Sequence, residues 1–176
     1  MKRHKFFLLL AASGSAIALL VYPATLAAAN GKPTKVAITD EQQTFDLPAG
    51  VGCSFELAGT PVSNKEYFKT YPADANGDVR TLINGTSKEQ LTNVGTGKSI
   101  IVNNSGPSKE IDHADGSADV DIGGSVLVIF EFPFNPRGPS SYIYTGHTVL
   151  SFSPIGVLTV VSTTDNNPFD VCAALS

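Results

Sequence analysis

The sequence predicts an all-β fold, a single antiparallel β-sandwich or flattened β-barrel built as a meander of about ten strands. Apolar and polar residues alternate through most of the chain after the N-terminal region. No window there sustains the helical period, and Gly, Pro, Asn and Asp interrupt the alternation at short intervals. Short strands joined by tight turns are typical of antiparallel sheets.

The first 29 residues have the layout of a secretory signal peptide. A basic start precedes the apolar run Phe6–Val21, and Ala27 and Ala29 form a small-residue cleavage motif. We expect cleavage after Ala29, with cleavage after Ala27 as the alternative, and a secreted, extracellular protein. An uncleaved anchor would need about 20 predominantly apolar residues, and the segments around Ser13–Ser15 and Pro23 interrupt this one. We therefore expect no stable membrane anchor after cleavage.

The rest of the chain divides into an N-terminal segment, residues 30–49, and a single β domain, residues 50–176, closed by a disulfide. Such a length suffices for one self-supporting core. The signal segment carries three of the 12 Lys and Arg residues and none of the 16 acidic ones, so the mature chain has a net charge of −7. That charge argues against nucleic acid and anionic membrane as partners.

Residues that favour tight turns indicate which consecutive strands are neighbours. Asn76-Gly77 tolerates the positive φ values of a hairpin turn and predicts pairing of "KEYFKTY" with "VRTLIN". Asp115-Gly116 separates "SKEIDHA" from "ADVDI", and the turn at Pro154 separates the last two strands. The candidate strands are, in order, "TKVAIT", "QTFDL", "CSFELAG", "KEYFKTY", "VRTLIN", "QLTNV", "KSIIVNN", "SKEIDHA", "ADVDI", "SVLVIFEF", "SYIYTGHTVLSFS" and "VLTVVSTT".

The C-terminal "NNPFDVCAALS" predicts a short helical turn, with Asn167 as its N-cap and Pro168 in its first turn. Cys172 lies in this segment, and Cys53 is the only other cysteine. In an exported chain two cysteines predict one disulfide. A catalytic thiol or a metal pair is the alternative, but the chain has no CxxC motif and no histidine near either cysteine in sequence.

Histidine is the natural place to look for catalysis. His113 lies among Asp112, Asp115, Asp119 and Asp121, which gives a candidate general base for a secreted hydrolase, with Asp112 or Asp115 as its partner. The alternative is a solvated hairpin turn. His147 lies on the strand face of Ile143 and Val149, and we expect a hydrogen-bonded structural role for it.

Asp119 and Asp121, two residues apart on a strand, are candidate ligands for a cation such as calcium. The alternative is that these carboxylates belong to a solvated hairpin. We expect no metal and no organic cofactor.

The segment "FEFPFNPRGPSSYIY" contains three prolines that keep it out of a sheet ladder. Phe134 and Arg137 lie within it and give it the composition of a recognition loop. The alternative is a strand crossover in which Phe134 caps the core.

The phrases "GCSFEL", "LTNVGTGKSIIVNNSG", "DGS" and "DVCAALS" together resemble a functionally uncharacterised family of small secreted actinobacterial β-rich proteins with this C-terminal ending. The resemblance spans roughly residues 50–176 and implies export, a Gram-positive source and a bridge between Cys53 and Cys172. It implies no activity and no catalytic residues.

These patterns predict a secreted, non-catalytic protein, either a binding module or an envelope-associated structural protein, with an extracellular protein or a cell-wall component as partner. The alternative is a β-barrel carrier of a small apolar ligand. In that case the alternating face of "SVLVIFEF", from Val126 to Phe132, would line a cavity of at least roughly 300 Å³.

Overall fold

The structure is a computed structural model and describes residues 31–176. The alternating apolar residues and frequent turns of this part of the chain form two antiparallel sheets. The predicted signal segment, residues 1–29, lies outside the described residues. The two sheets form an open sandwich and do not close into a barrel over the described part of the chain. The predicted all-β sandwich class is confirmed.

The strands are β1 (Thr34–Ala37), β2 (Phe45–Leu47), β3 (Leu57–Asn64), β4 (Tyr67–Thr70), β5 (Val79–Asn84), β6 (Ser87–Asn93), β7 (Ser99–Asn103), β8 (Ser108–Asp112), β9 (Ala118–Phe130), β10 (Ser140–Phe152), β11 (Leu158–Thr163) and β12 (Phe169–Asp170). Two short helices accompany them, α1 (Asp40–Gln43) and α2 (Val171–Leu175).

The larger sheet has the order β1-β4-β5-β8-β9-β10-β11, with β12 paired to β10, and the smaller sheet has the order β2-β3-β6-β7. The chain therefore crosses repeatedly between the sheets up to β8 and runs as a simple meander only from β8 to β11. The predicted hairpins β4–β5, β8–β9 and β10–β11 are all present.

The segments "ADVDI" and "SVLVIFEF", predicted as two strands, belong to the single 13-residue strand β9. Gly123-Gly124 suggested a turn, but the strand pairs with β10 through this point, and Gly124 faces Gly146. Both residues have positive φ, 123° and 90°. A Cβ at Gly124 would lie 2.5 Å from the carbonyl oxygen of Ser105, so the glycine permits a close backbone approach.

The C-terminal half of β9 is buried on both faces. Leu127 and Ile129 pack into a cluster with residues of the smaller sheet and α2, whereas Val128 and Phe130 pack into a second cluster with residues of β10 and β11. Burial on both sides explains why "VLVIF" is a continuous apolar run instead of an alternating one.

The predicted C-terminal helical turn is present as α2, but its N-cap is Asp170 and not Asn167. Before the helix begins, the backbone forms strand β12, which pairs with β10. The N-cap therefore lies nearer the C-terminus than predicted. The disulfide between Cys53 and Cys172 is present, with a Cα–Cα distance of 5.5 Å. It fastens α2 to the segment before β3, and Val171 and Leu175 are fully buried.

Candidate functional site

A cavity of about 200 Å³ lies between the two sheets and is partly open to solvent. We call it the inter-sheet cavity. Its apolar lining consists of Ile38, Phe45, Phe68, Ile83, Val120, Ile122, Val126, Leu127, Leu150 and Phe152. Its polar lining consists of Gln42, Gln43, Glu66, Glu89, Asn104, Ser108 and Ser125.

Glu66 lies in the short connection between β3 and β4 and is 9% exposed. Its Oε2 accepts a hydrogen bond from Nε2 of Gln43 at 2.6 Å, and Ser87 Oγ donates to Oε1 of the same Gln43 at 3.1 Å. Burial raises the pKa of the Glu66 carboxyl, and the bond from Gln43 opposes that rise. The helix α1 therefore positions this carboxyl at the cavity wall.

Glu89 lies on the inward face of β6, with Ser87 and Leu91, and is 4% exposed. Its Oε2 accepts a hydrogen bond of 3.4 Å from Nδ2 of Asn104, whose Oδ1 accepts from the backbone N–H of Leu127 at 3.0 Å. Burial raises the pKa of Glu89 to about 7; the bond from Asn104 lowers it, and repulsion from Glu66 adds to the rise. The two carboxyl groups are thus electrostatic neighbours.

A further buried carboxyl, Glu110, lies on β8 between Thr81 of β5 and Val120 of β9. Burial, and after it the neighbouring Asp112, raises the pKa of Glu110 to about 8. Glu110 does not line the inter-sheet cavity, although Val120 beside it does.

The candidate pairing of His113 with Asp112 or Asp115 is not formed, and of the carboxylates near it in sequence Asp119 contacts the imidazole. The imidazole lies between Asp78, 3.1 Å from Nδ1, and Asp119, 3.2 Å from Nε2. Asp115 instead accepts hydrogen bonds from Ser117 in its own turn. Asp78 belongs to the β4–β5 turn and is far from His113 in sequence, so the sequence did not indicate this contact.

His147 has the structural contact expected of it, because its Nε2 lies 2.8 Å from Asp121 Oδ1. The candidate cation ligands Asp119 and Asp121 therefore each contact a different imidazole. Among residues 31–176, His, Cys, Asp and Glu side chains form no group of three or more that could hold a metal ion.

The proline segment forms a loop held by Asn135, whose Nδ2 donates to the carbonyl of Leu158 at 2.7 Å. Phe134 is 64% exposed, so the alternative in which it caps the core is wrong. The guanidinium of Arg137 lies over the ring of Phe130, 5.3 Å from its centroid. Recognition of a partner by Phe134 and Arg137 stays a prediction.

The residues on the alternating face of "SVLVIFEF" have different environments along the strand. Val126 lines the inter-sheet cavity, Val128 and Phe130 are fully buried, and Phe132 is 52% exposed. The cavity is smaller than the roughly 300 Å³ expected of a carrier, and the sheets stay open. These findings count against a barrel carrier.

Sequence reasoning missed both cavity carboxyls, although a signal for one was present. In "SKEQLTN" the only apolar residue is Leu91, so strand alternation places Glu89 on the same inward face. Glu66 lies in a connection, where no periodicity assigns a direction.

The fold and this geometry define an open β-sandwich with a carboxyl-bearing cavity between its sheets. Comparison with family models, with curated proteins and with solved structures gave no match for this chain. None of the helices between residues 31 and 176 has the length and apolar character needed to cross a membrane.

Proposed function

We propose that the protein is a secreted, non-catalytic binding protein that holds a small ligand in the inter-sheet cavity. The observation that carries the proposal is the cavity itself, because apolar walls from both sheets face a small set of polar groups there. Ligand sites generally combine a largely apolar lining with a few polar groups that fix orientation. A volume of about 200 Å³ is below the roughly 300 Å³ expected of a carrier of drug-sized ligands, so the cavity suits a smaller molecule.

The histidines support a non-catalytic role. Both ring nitrogens of His113 are engaged by carboxylates, so the imidazole has no nitrogen left to accept a proton from a substrate. Neither His113 nor His147 belongs to the cavity lining, and the titratable side chains that the described part of the chain contributes to it are Glu66 and Glu89. A binding role accounts for both the apolar and the polar lining of the cavity and requires no nucleophile.

Two further features support export. The disulfide between Cys53 and Cys172 suits an oxidising compartment, and the N-terminal pattern is that of a signal peptide. The "DVCAALS" ending supports membership of the secreted actinobacterial family, and it supplies both α2 and one disulfide partner. Intact mass of the protein recovered from culture medium, before and after reduction, tests cleavage and bridge together.

The binding proposal is tested by NMR titration of the protein with 1-hexanol, a neutral probe sized to the cavity. We expect saturable amide shifts at residues such as Val120 and Ile122. Val126→Phe fills the cavity and should abolish these shifts. Val161→Phe, at an exposed position outside the cavity, is the matched control and should retain them. Absence of saturable shifts at cavity residues in the wild type, with 1-hexanol and also with n-hexylammonium and hexanoate, would overturn the proposal.

A further inference from the structure

Among residues 31–176, the polar lining of the inter-sheet cavity has two carboxyl groups and no positively charged side chain. Glu66 and Glu89 come from different elements and are both buried. Within residues 31–176 the ion pairs all involve His113 or His147, so neither cavity carboxyl has a cationic partner within ion-pair distance. Lys65 and Lys88 adjoin them in sequence, but both are exposed and neither lines the cavity.

We propose that the inter-sheet cavity binds a small organic cation, an ammonium group on an apolar body, with Glu66 and Glu89 as the groups that recognise the charge. The inference rests on the proposed binding function and names its ligand class. A cavity of about 200 Å³ is smaller than the roughly 300 to 1,000 Å³ of sites for drug-sized ligands, so the ligand is a small amine.

Both carboxyls are held in place by neutral amides. Gln43 holds Glu66, and Asn104 holds Glu89, in each case by one amide hydrogen bond to Oε2. The amides are themselves fixed, Gln43 by Ser87 and Asn104 by the backbone of Leu127. Such support keeps the charge-recognising groups at fixed positions before a ligand enters.

The two buried carboxyls of the cavity favour the binding of a cation. Burial raises the pKa of both Glu66 and Glu89, and repulsion from Glu66 adds to the rise at Glu89, so the pair resists simultaneous ionisation. An ammonium group placed between them would offset both desolvation and repulsion, and would release the proton that the pair retains. Binding should therefore tighten as the pH rises.

A metal ion fits the same groups less well. Calcium takes six to eight oxygen ligands and magnesium requires octahedral geometry. The cavity carboxyls belong to no group of three or more potential ligands within residues 31–176. The ten apolar side chains that face them would have no role around a hydrated ion. The apolar body of an amine would contact the apolar lining, and its ammonium group would contact the carboxyls.

Isothermal titration calorimetry with three matched probes tests the inference. The probes are n-hexylammonium, 1-hexanol and hexanoate, which share an apolar body and differ in charge. We expect hexylammonium to bind at least tenfold more tightly than 1-hexanol near pH 8, and at least tenfold more tightly near pH 8 than near pH 5.5. Hexanol affinity should change less with pH, because a neutral hydroxyl gains no charge attraction when the cavity carboxyls ionise.

Three variants assign the effect to residues. Glu89→Gln and Glu66→Gln should each weaken hexylammonium binding at least tenfold, and Glu89→Gln should also remove most of its pH dependence. Glu56→Gln removes an exposed carboxylate outside the cavity and is the charge-matched control, expected within twofold of the wild type. If a cavity variant fails to fold, the three probes on the wild type still decide the inference.

The outcomes separate the two proposals. Equal affinity for hexylammonium and 1-hexanol, or tighter binding of hexanoate, would overturn the cation inference and leave the binding function standing. Failure of all three probes to bind would overturn both.

Discussion

Gly59 lies directly opposite Phe45 across the β2–β3 ladder, and the ring of Phe45 fills the space that a side chain at position 59 would occupy. A Cβ at this position would also lie 2.6 Å from Oε1 of Glu89. The absence of a side chain at Gly59 therefore sets the positions of an aromatic wall and a carboxyl of the inter-sheet cavity.

Gly59→Ala should destabilise the protein by about 1 to 3 kcal/mol, because the Phe45 ring and the Glu89 carboxyl must both move. Urea unfolding at neutral pH measures the change. Gly95→Ala is the control, since its Cβ would meet only Oδ1 of Asn93, at an ordinary 3.5 Å. It should stay within about 0.5 kcal/mol of the wild type. Equal effects of the two substitutions would contradict the packing described here.

Stability should fall as the pH rises from about 5 to about 9, owing to Glu89 and Glu110. Burial raises their pKa values to about 7 and about 8 in the folded protein, whereas a Glu in the unfolded chain has a pKa near 4.3. Between these values the folded state keeps protons that the unfolded state releases. The sign of the linkage is therefore loss of stability with increasing pH.

Glu110→Gln should remove part of this slope, because the amide mimics the neutral carboxyl. We expect the variant to lose less stability than the wild type between pH 5 and pH 9, by on the order of 1 to 3 kcal/mol. Urea unfolding at both pH values gives the slopes. Asp46→Asn, at an exposed position on β2, should keep the wild-type slope. Parallel curves for Glu110→Gln and the wild type would refute the assignment.

Glu110 also shows why part of the fold could not be predicted. In "SKEIDHA" the apolar Ile111 favours burial of its own face, yet Glu110 is 7% exposed and Ile111 is only half-buried. The hydrophobic pattern of β8 thus gives the wrong inward face, since the neighbouring strands decide which face is covered. The positions of β5 and β10 along the chain were nevertheless predicted closely.

The short helix α1 was missed for a related reason. One turn shows no hydrophobic period, and α1 is recognised instead by its capping box, in which Thr39 and Gln42 bond reciprocally. "TDEQ" carries that signature, so local chemistry contained the signal. The juxtaposition of Gln43 and Glu66 is different, because it depends on tertiary structure across 23 residues.

His113 should titrate above its ordinary pKa of about 6.5, because hydrogen bonds to Asp78 and then Asp119 favour the imidazolium. NMR observation of the His113 ring proton measures the midpoint. Asp78→Asn should lower it clearly. Asp115→Asn should lower it less, because Asp115 bonds to Ser117 and not to the imidazole. A larger effect of Asp115→Asn would restore the partner predicted from sequence.

The same contact links His113 to stability. The protonated imidazole stabilises the fold below the unfolded pKa, and this contribution disappears as the pH rises through the folded pKa. His113→Asn should therefore cost stability near pH 5.5 and little near pH 9. The imidazole side chain is 31% exposed, so we expect no more than about 0.5 kcal/mol. A loss of equal size at both pH values would contradict the ion-pair origin.

Removal of the disulfide should cost about 2 to 5 kcal/mol, because the bridge between Cys53 and Cys172 closes a long loop in the unfolded chain and spans 119 residues. The double variant Cys53→Ser, Cys172→Ser, compared with the oxidised wild type in urea, measures the cost. Lys98→Ala removes the exposed contact of Lys98 Nζ with the carbonyl of Ser176 and is the control at the same chain end. It should cost less than about 0.5 kcal/mol. Equal midpoints for the double variant and the wild type would mean that packing alone holds α2.

The rigidity of the proline loop should depend on Asn135 more than on its exposed aromatics. Asn135 is 3% exposed, donates to the buried carbonyl of Leu158 and accepts from the backbone N–H of Arg137 at 2.9 Å. Asn135→Ala should cost about 1 to 3 kcal/mol, because it leaves a buried carbonyl without its donor. Phe134→Ala, at an exposed position, should stay within about 0.5 kcal/mol of the wild type.

Asn135→Asp separates the two contacts of that side chain. The carboxylate still accepts from the N–H of Arg137 but cannot donate to the carbonyl of Leu158. If the buried bond dominates, Asn135→Asp should destabilise the protein at least as much as Asn135→Ala does, because two acceptors then face each other. If the bond to Arg137 dominates, Asn135→Asp should instead retain most of the stability. Hydrogen exchange at the Arg137 amide reports independently whether that bond survives, so the pair of measurements identifies which contact holds the loop to β11.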